Sequence, residues 1–248
     1  MYQKERIEEI LKILKQNGYV TVKYLTEELR YSNATVNRDL TVMERQKMVT
    51  RSYGGVELVE QKGISLPFRY HKMKSAKNKI AQKAAEFVQD GDVIFIDAST
   101  TAEYMGRYLT GKKELTVITN NMALVMFLSE YDVKAICLGG VVVEKPYMLN
   151  GDISIENVRK YHADKMFFST GSFDQNGKVA GDNDTYFLLH RLMAENSDKV
   201  YFLADHDKIN HPYTHIHMDF SEIDAIVTDY KFEENVKKKF SNVSFWEV

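Results

Sequence analysis

Five polar clusters, each directly behind a short apolar run, hold the residue types from which a ligand site can be built. Val93-Ile94-Phe95-Ile96 leads into Asp97-Ala98-Ser99-Thr100-Thr101. A hydroxyl-rich turn between a strand and a helix places side-chain oxygens and backbone N–H groups around a potential anion. Ser99, Thr100 and Thr101 would then wrap a phosphate while Asp97 accepts from a sugar hydroxyl. The same three residues also suit an ordinary helix cap. Further clusters follow the same pattern: Thr119-Asn120-Asn121, Gly139-Gly140, Ser169-Thr170-Gly171 and Asp205-His206-Asp207-Lys208. Open α/β sheets bind ligands beyond the carboxyl ends of their strands, so five such ends describe one pocket.

A second chemistry sits near the N-terminus, in Ser32-Asn33-Ala34-Thr35-Val36-Asn37-Arg38-Asp39-Leu40. Val36, Leu40 and Met43 recur on one helical face, which turns Ala34, Asn37, Arg38 and Thr41 outward. Arginine forks onto guanine, asparagine bridges adenine, and hydroxyls such as those of Ser32 and Thr35 hold phosphates. Arg51 and Tyr53 stand where a following hairpin would meet the backbone or minor groove of a duplex. A polar helix face that meets only solvent has the same pattern.

Other candidates carry less. His211, His215 and His217, with Asp205, Asp207 and Asp219 nearby, have metal-ligand residue types. The His-x-x-x-His spacing needs a helix to align both rings, however, and Pro212 followed by alternation predicts loop and strand. No metal and no cofactor is expected. Cys137, within Ala135-Ile136-Cys137-Leu138, reads as a small core residue. Tyr104, Met105 and Tyr108 share a helical face and read as packing. Lys237-Lys238-Lys239 reads as a solvated helix face.

These residues need two kinds of scaffold. In residues 1–60, Ile7, Ile10, Leu11 and Leu14 mark a helix closed by Asn17-Gly18. Thr21 caps a second that buries Val22, Leu25 and Leu29, and Ser32 caps a third. Met48 to Leu58 then reads as a hairpin about Gly54-Gly55. Three helices and a hairpin form a winged helix-turn-helix. Residues 61–75 read as a linker, and 76–248 as a larger α/β domain in which short apolar strands alternate with helices. The strands are expected at Val93–Ile96, Thr116–Thr119, Lys134–Leu138, Lys165–Ser169, Lys199–Ala204 and Ala225–Thr228. The helices are expected at Ile80–Val88, Thr101–Leu109, Met122–Ser129 and Tyr186–Glu195. That rhythm predicts a parallel sheet covered on both faces.

Composition narrows the functional classes. The chain has 248 residues, 44% hydrophobic and 27% charged, with one cysteine and three prolines. It is long enough to bury a core without disulfides, and a single cysteine points to a reducing compartment. The charged N-terminus lacks the apolar stretch of a signal peptide, and no run approaches the length of a membrane span. A cytoplasmic protein without membrane contact is expected. The net charge is −2, yet residues 30–51 hold five basic side chains (Arg30, Arg38, Arg45, Lys47, Arg51) against Asp39 and Glu44. Binding to phosphates responds to that local field rather than to the average.

The head resembles the DNA-binding domain of DeoR-type bacterial transcription regulators. That family's recognition helix reads Ser-x-x-Thr-hydrophobic-Arg-Arg-Asp-Leu and its wing Arg-x-x-Gly-Gly. Here Ser32, Thr35, Val36, Arg38, Asp39 and Leu40 match, then Arg51, Gly54 and Gly55. Asn37 replaces the first arginine of the pair, which removes one phosphate or guanine contact and offers an adenine contact. The resemblance continues through Asp97 with Ser99 to Thr101, Thr119-Asn120, Gly139-Gly140, Asp164-Lys165 with Phe167, and Asp205 with Lys208.

It implies a sensor domain similar in fold to ribose-5-phosphate isomerase that binds a phosphorylated sugar or related metabolite. Ser99, Thr100, Thr101 and Lys208 would hold the phosphate. Asp97, Asn120 and Asp205 would contact hydroxyls, with Gly139, Gly140 and Gly171 lining the site. One departure stands out: the family's Glu-x-x-x-Lys helix here carries Tyr186 and His190. Isomerase chemistry needs a placed carboxylate base, so no enzyme is expected. The resulting expectation is a repressor of a carbohydrate-metabolism operon that binds double-stranded operator DNA as a homodimer or homotetramer. A sugar-phosphate isomerase with a DNA-binding head, and a regulator whose body serves only oligomerisation, are the alternatives.

Overall fold

The computed structural model describes residues 3–46, 48–52, 55–58, 72–144, 148–181 and 184–248. The chain divides into two compact units, Met1–Lys72 and Met73–Val248. In the first, α1 (Gln3–Asn17) is followed by β1 (Val20–Thr21), α2 (Val22–Leu29), α3 (Asn33–Arg45), β2 (Val49–Ser52) and β3 (Gly55–Leu58). Gly18, at φ 69°, closes α1 in the left-handed region that glycine adopts without strain. The Thr21 hydroxyl caps α2 by accepting from the Tyr24 amide at 3.1 Å, and Ser32 caps α3 through the Thr35 amide at 3.2 Å.

Ile10, Leu14, Leu25, Val36, Leu40 and Met43 close the core of this unit. The three strands pair antiparallel in the order β1-β3-β2, with Arg51 opposite Val56 and Ser52 opposite Gly55. The fold is therefore a winged helix-turn-helix. The expected hairpin turn at Tyr53 and Gly54 lies outside the described residues, as do Lys47 and most of the expected linker.

The second unit opens with α4 (Lys74–Ala85), then β4 (Val93–Ile96), α5 (Thr100–Glu103), α6 (Gly106–Leu109), β5 (Thr116–Thr119), α7 (Met122–Ser129) and β6 (Lys134–Cys137). A hairpin, β7 (Val141–Glu144) and β8 (Met148–Asn150), leads to α8 (Asp152–Val158), β9 (Ala163–Phe168), β10 (Ser172–Phe173) and β11 (Lys178–Gly181). The chain ends with α9 (Asp184–Glu195), β12 (Ser197–Ala204), β13 (His215–Asp219), β14 (Ala225–Thr228), α10 (Glu234–Lys239) and β15 (Ser244–Glu247). Seven strands form one sheet in the order β15-β14-β12-β9-β4-β5-β6. Every pairing in it is parallel. Phe95, Met166, Phe168, Phe202 and Ile226 build its main core with Phe173, Phe220 and Leu189. The unit is an α/β domain, and β10, β11 and β13 form a small antiparallel sheet beside it.

Three details differ from the sequence reading. The helix expected at Ile80–Val88 spans Lys74–Ala85, because its buried face runs Ala76, Ile80, Ala84 with Lys77 included. Small and charged side chains on that face hide its periodicity. The helix expected at Thr101–Leu109 is two single turns. The Met105 amide bonds back only three residues, to Ala102, at 2.9 Å. Gly106 then lies against α7, where an added Cβ would stand 2.7 Å from Leu124 Cδ1. Cys137 is exposed rather than part of the core, since β6 is the outermost strand and Cys137 is its last residue. Tyr104 and Met105 are buried, as their spacing suggests.

Candidate functional site

In the head, α3 presents the polar face the sequence predicts. Val36, Leu40 and Met43 are buried, while Ser32, Asn33, Ala34 and Arg38 are exposed and Thr35, Asn37 and Thr41 half-buried. Asp39 points the other way. Its carboxylate accepts from Arg6 Nε at 2.6 Å, from Arg6 Nη2 at 3.0 Å and from Gln3 Nε2 at 2.9 Å. Burial would raise the Asp39 carboxyl, but the hydrogen bonds from Arg6 and Gln3 outweigh it and hold the pKa below the ordinary carboxylate value. A forked ion pair between α1 and α3 thus fixes how the outward face is presented.

Asn37 and Arg51 belong to one network. The Arg51 guanidinium donates to Asn37 Oδ1 and, at 3.4 Å, to Thr41 Oγ1, while Asn37 Nδ2 donates to the Asn33 carbonyl at 2.9 Å. The sequence reading treated Arg51 and Asn37 as separate contacts. The structure joins wing and helix through them. Tyr53 lies outside the described residues.

In the body, parallel register places the ends of β12, β9, β4 and β5 side by side. Phe202 pairs with Phe168, Ile96 with Phe167, and Ile96 with Thr119. The next residues form one polar row: Asp205, Ser169, Asp97 and Asn120. Ser99 Oγ donates to Asp97 Oδ1 at 2.5 Å and caps α5 through the Ala102 amide. Lys208 Nζ reaches Ser169 Oγ at 2.6 Å, Thr101 Oγ1 at 3.1 Å and Asp205 Oδ2 at 3.9 Å.

A second ammonium approaches the same turn. Lys77, on α4 and buried, donates to Thr100 Oγ1 at 3.1 Å. The sequence predicts an anion site at a hydroxyl-rich turn where the helix Thr101–Leu109 begins. With α5 only one turn long, few aligned peptide dipoles stand behind it. The positive field comes from Lys77 and Lys208, which bracket Thr100 and Thr101.

Above this row lies a chain of buried side chains. His190 Nε2 is 3.1 Å from Asp97 Oδ2, and His190 Nδ1 is 3.1 Å from His217 Nδ1. Burial, together with nearby His190 and His215, pulls the His217 imidazole down to about 3, so the ring is neutral. Tyr186 stands one turn earlier on α9. Neither His190 nor His217 was placed in the site by sequence, and Lys77 was missed too, whereas Ser169 stands in a strand-end cluster that the sequence singles out. Lysine within an otherwise apolar helix face was the one available signal for Lys77.

The remaining expected residues are held by local contacts. Gly139 and Gly140 follow the outermost strand at φ 72° and 112°, held where Ser154 Oγ donates to the Gly139 carbonyl. A Cβ on Gly140 would meet the Asn150 carbonyl oxygen at 2.5 Å, so the glycine is required by packing. Asn120 Nδ2 donates to the Leu149 carbonyl at 2.9 Å. Gly171 lies beside Gly181, next to His217. His211 is exposed and pairs with Asp207 at 3.8 Å. Among the described residues no group of three or more His, Cys, Asp or Glu side chains is arranged to hold a metal. No helix among them is long and apolar enough to cross a membrane.

Two family profiles match the chain: "DeoR-like helix-turn-helix domain" over residues 6–62 and "DeoR C terminal sensor domain" over residues 72–230. Among similar proteins, the HTH-type transcriptional repressor GlcR of Bacillus subtilis is 34% identical over 233 residues, covering 92% of this chain and 89% of that one. The uncharacterized HTH-type transcriptional regulator YulB of the same species is 32% identical, with 91% and 88% covered. The lactose phosphotransferase system repressor of Streptococcus mutans is 30% identical over 96% of each chain. Among solved structures, ribose 5 phosphate isomerase A from Neisseria gonorrhoeae aligns with a TM-score of 0.40 at 18% identity, covering 54% of this chain and 52% of that one.

Proposed function

Because the chain belongs to the DeoR family of helix-turn-helix transcription regulators, we propose that it represses a carbohydrate-metabolism operon and is controlled by a phosphorylated sugar. The observation that carries the effector reading is the convergence of Lys77 and Lys208 on the hydroxyls of Thr100 and Thr101. Two ammoniums about a hydroxyl turn favour a phosphate. The adjoining carboxylates and amide of Asp97, Asp205 and Asn120 suit sugar hydroxyls. Relatives whose names refer to a lactose phosphotransferase system support the same class of ligand.

In the head, Ser32, Asn33, Thr35 and Thr41 would hold phosphates. Ala34, Asn37 and Arg38 would face base edges, and Arg51 would brace Asn37 beside the duplex. Paired half-sites call for paired heads, so the working form is a homodimer or homotetramer in the cytoplasm. Effector binding would shift operator affinity by favouring one of two arrangements of the heads. No turnover is assigned, since Tyr186 and His190 stand where an isomerase-like helix would place its carboxylate and lysine.

The test is a thermal-melt screen of the whole protein against phosphorylated sugars and their unphosphorylated parents. A ligand at a hundred times its dissociation constant stabilises the protein by about 2.7 kcal/mol. A shift with one ester and not its parent, accompanied by release of operator DNA, is the expected result. Equal shifts with ester and parent, or none with any, would refute the phosphosugar reading.

A further inference from the structure

Three buried atoms near the polar row have no hydrogen-bond partner among the described residues: Asn120 Oδ1, Asp205 Oδ2 and His217 Nε2. Their side chains belong to residues only 2%, 2% and 3% exposed. Leaving buried polar atoms unmet is costly, and native folds keep them chiefly where a ligand or water completes the set. Asn120 and Asp205 lie within the expected sugar site. His217 does not, and it comes from β13, outside the seven-stranded sheet.

The inner side of the ring is already engaged. The Asp97 carboxylate only accepts, so His190 Nε2, at 3.1 Å, carries a hydrogen. His190 Nδ1 and His217 Nδ1 face each other across 3.1 Å and share one hydrogen. That contact occupies the inner nitrogen of His217 and leaves Nε2 for a partner from outside. Beside it stands glycine: a Cβ on Gly181 would lie 3.3 Å from Nε2. Gly181 has no side chain to occupy that nitrogen.

We propose that His217 is a specificity-determining residue of the effector site, its Nε2 hydrogen-bonded to a hydroxyl of the bound phosphosugar. His190 acts as a positioning residue, relaying the orientation of Asp97 to the outer ring. The assignment rests on the phosphosugar reading above and deepens it. The sugar end then presents the open oxygens of Asn120 and Asp205 beside the His217 nitrogen, so the ligand is a polyhydroxy phosphate ester. A sugar-acid phosphate, whose carboxylate brings only lone pairs, is disfavoured.

The experiment uses the full chain with inorganic phosphate, glucose 6-phosphate, fructose 6-phosphate, galactose 6-phosphate, ribose 5-phosphate and 6-phosphogluconate as probes. Affinities are read by calorimetry for wild type, His217→Leu and His217→Gln. The ester that binds wild type best should lose at least tenfold in affinity in both variants, while inorganic phosphate binding stays within twofold. In wild-type protein, ¹⁵N NMR should find the His217 Nε2 signal shifted by that ester. A His190→Phe variant should alter that signal without touching inorganic phosphate binding.

Unchanged ester affinity in both His217 variants overturns the assignment. So does an equal loss of ester and inorganic phosphate, which marks a structural effect, and so does tightest binding by 6-phosphogluconate. Failure of wild type to bind any ester overturns the phosphosugar reading itself. A variant that fails to fold leaves the wild-type NMR measurement to decide: an Nε2 signal that no ester perturbs refutes the proposal.

Discussion

Replacing Lys208 by methionine separates a phosphate-binding lysine from a merely structural one. Methionine keeps an unbranched stem and removes the charge. The Lys208 ammonium lies 3.1 Å from Thr101 Oγ1 and 2.6 Å from Ser169 Oγ, so a phosphate oxygen bound at those hydroxyls would sit roughly 4 Å from it. At that distance a pair of unit charges gains about 4 kcal/mol at the effective dielectric of 20 typical near a protein surface. Asp205 Oδ2, already 3.9 Å away, neutralises part of this charge, and desolvating the phosphate offsets more.

A net loss of about 2 to 3 kcal/mol remains, or roughly thirty- to a hundred-and-fiftyfold in affinity. Calorimetry with the ester identified by the melt screen measures it directly, and the unphosphorylated parent serves as control. Lys77→Met should act in the same direction through Thr100, and the double variant should bind ester and parent alike. Operator affinity without ligand should stay at the wild-type level, because the substitution lies in the sensor unit. Ester affinity within threefold of wild type, or equal losses for ester and parent, would refute the two-lysine cradle.

Other consequences are open to direct measurement. Arg38→Ala should cost about 1 to 3 kcal/mol in operator binding, read by fluorescence anisotropy; equal losses on operator and scrambled duplex would reassign Arg38 to the backbone. Leu40→Ala removes a fully buried side chain from the head's core and should destabilise that unit by about 2 to 5 kcal/mol. Calorimetric scans should show the head's transition fall while ligand binding by the body persists, and a single shifted transition would contradict independent units. Burial pushes Glu103 up to about 7, against the lowering effect of its hydrogen bond from Asn121. The folded state therefore holds a proton that the unfolded chain has released, and stability falls as pH rises from about 4.5 to 7 and is flat above. Glu103→Gln should flatten that slope and raise the melting temperature at pH 8, whereas an unchanged pH profile would place the carboxyl in solvent.

Much of the head is legible in order along the chain, because its determinants are local. A capping hydroxyl bonds an amide three residues on, as at Ser32 and Thr21, and apolar side chains three and four apart share a helix face. The strand ends of the body are legible for a similar reason, since each apolar run declares where its polar successor begins. What failed was whatever depended on neighbours. Cys137 reads as core from its own segment, and only the strand order puts it on an outer edge. The expected single helix after Thr101 breaks where Gly106 packs against α7, a contact absent from the local pattern.

Local pattern along the chain carries the two units, the resemblance to the family, the helix that Ser32 caps and the hydroxyl turn after Ile96. Which side chains gather around those segments depends on the tertiary fold. Asp39 finds Arg6 across 33 residues, Thr100 finds Lys77 across 23, and Asp97 finds His190 across 93. Spacing along a chain encodes only contacts made within a turn of helix or a hairpin. Contacts between strands and crossover helices are set by the order in which the sheet assembles, and that order brought two histidines and a second lysine to the strand ends.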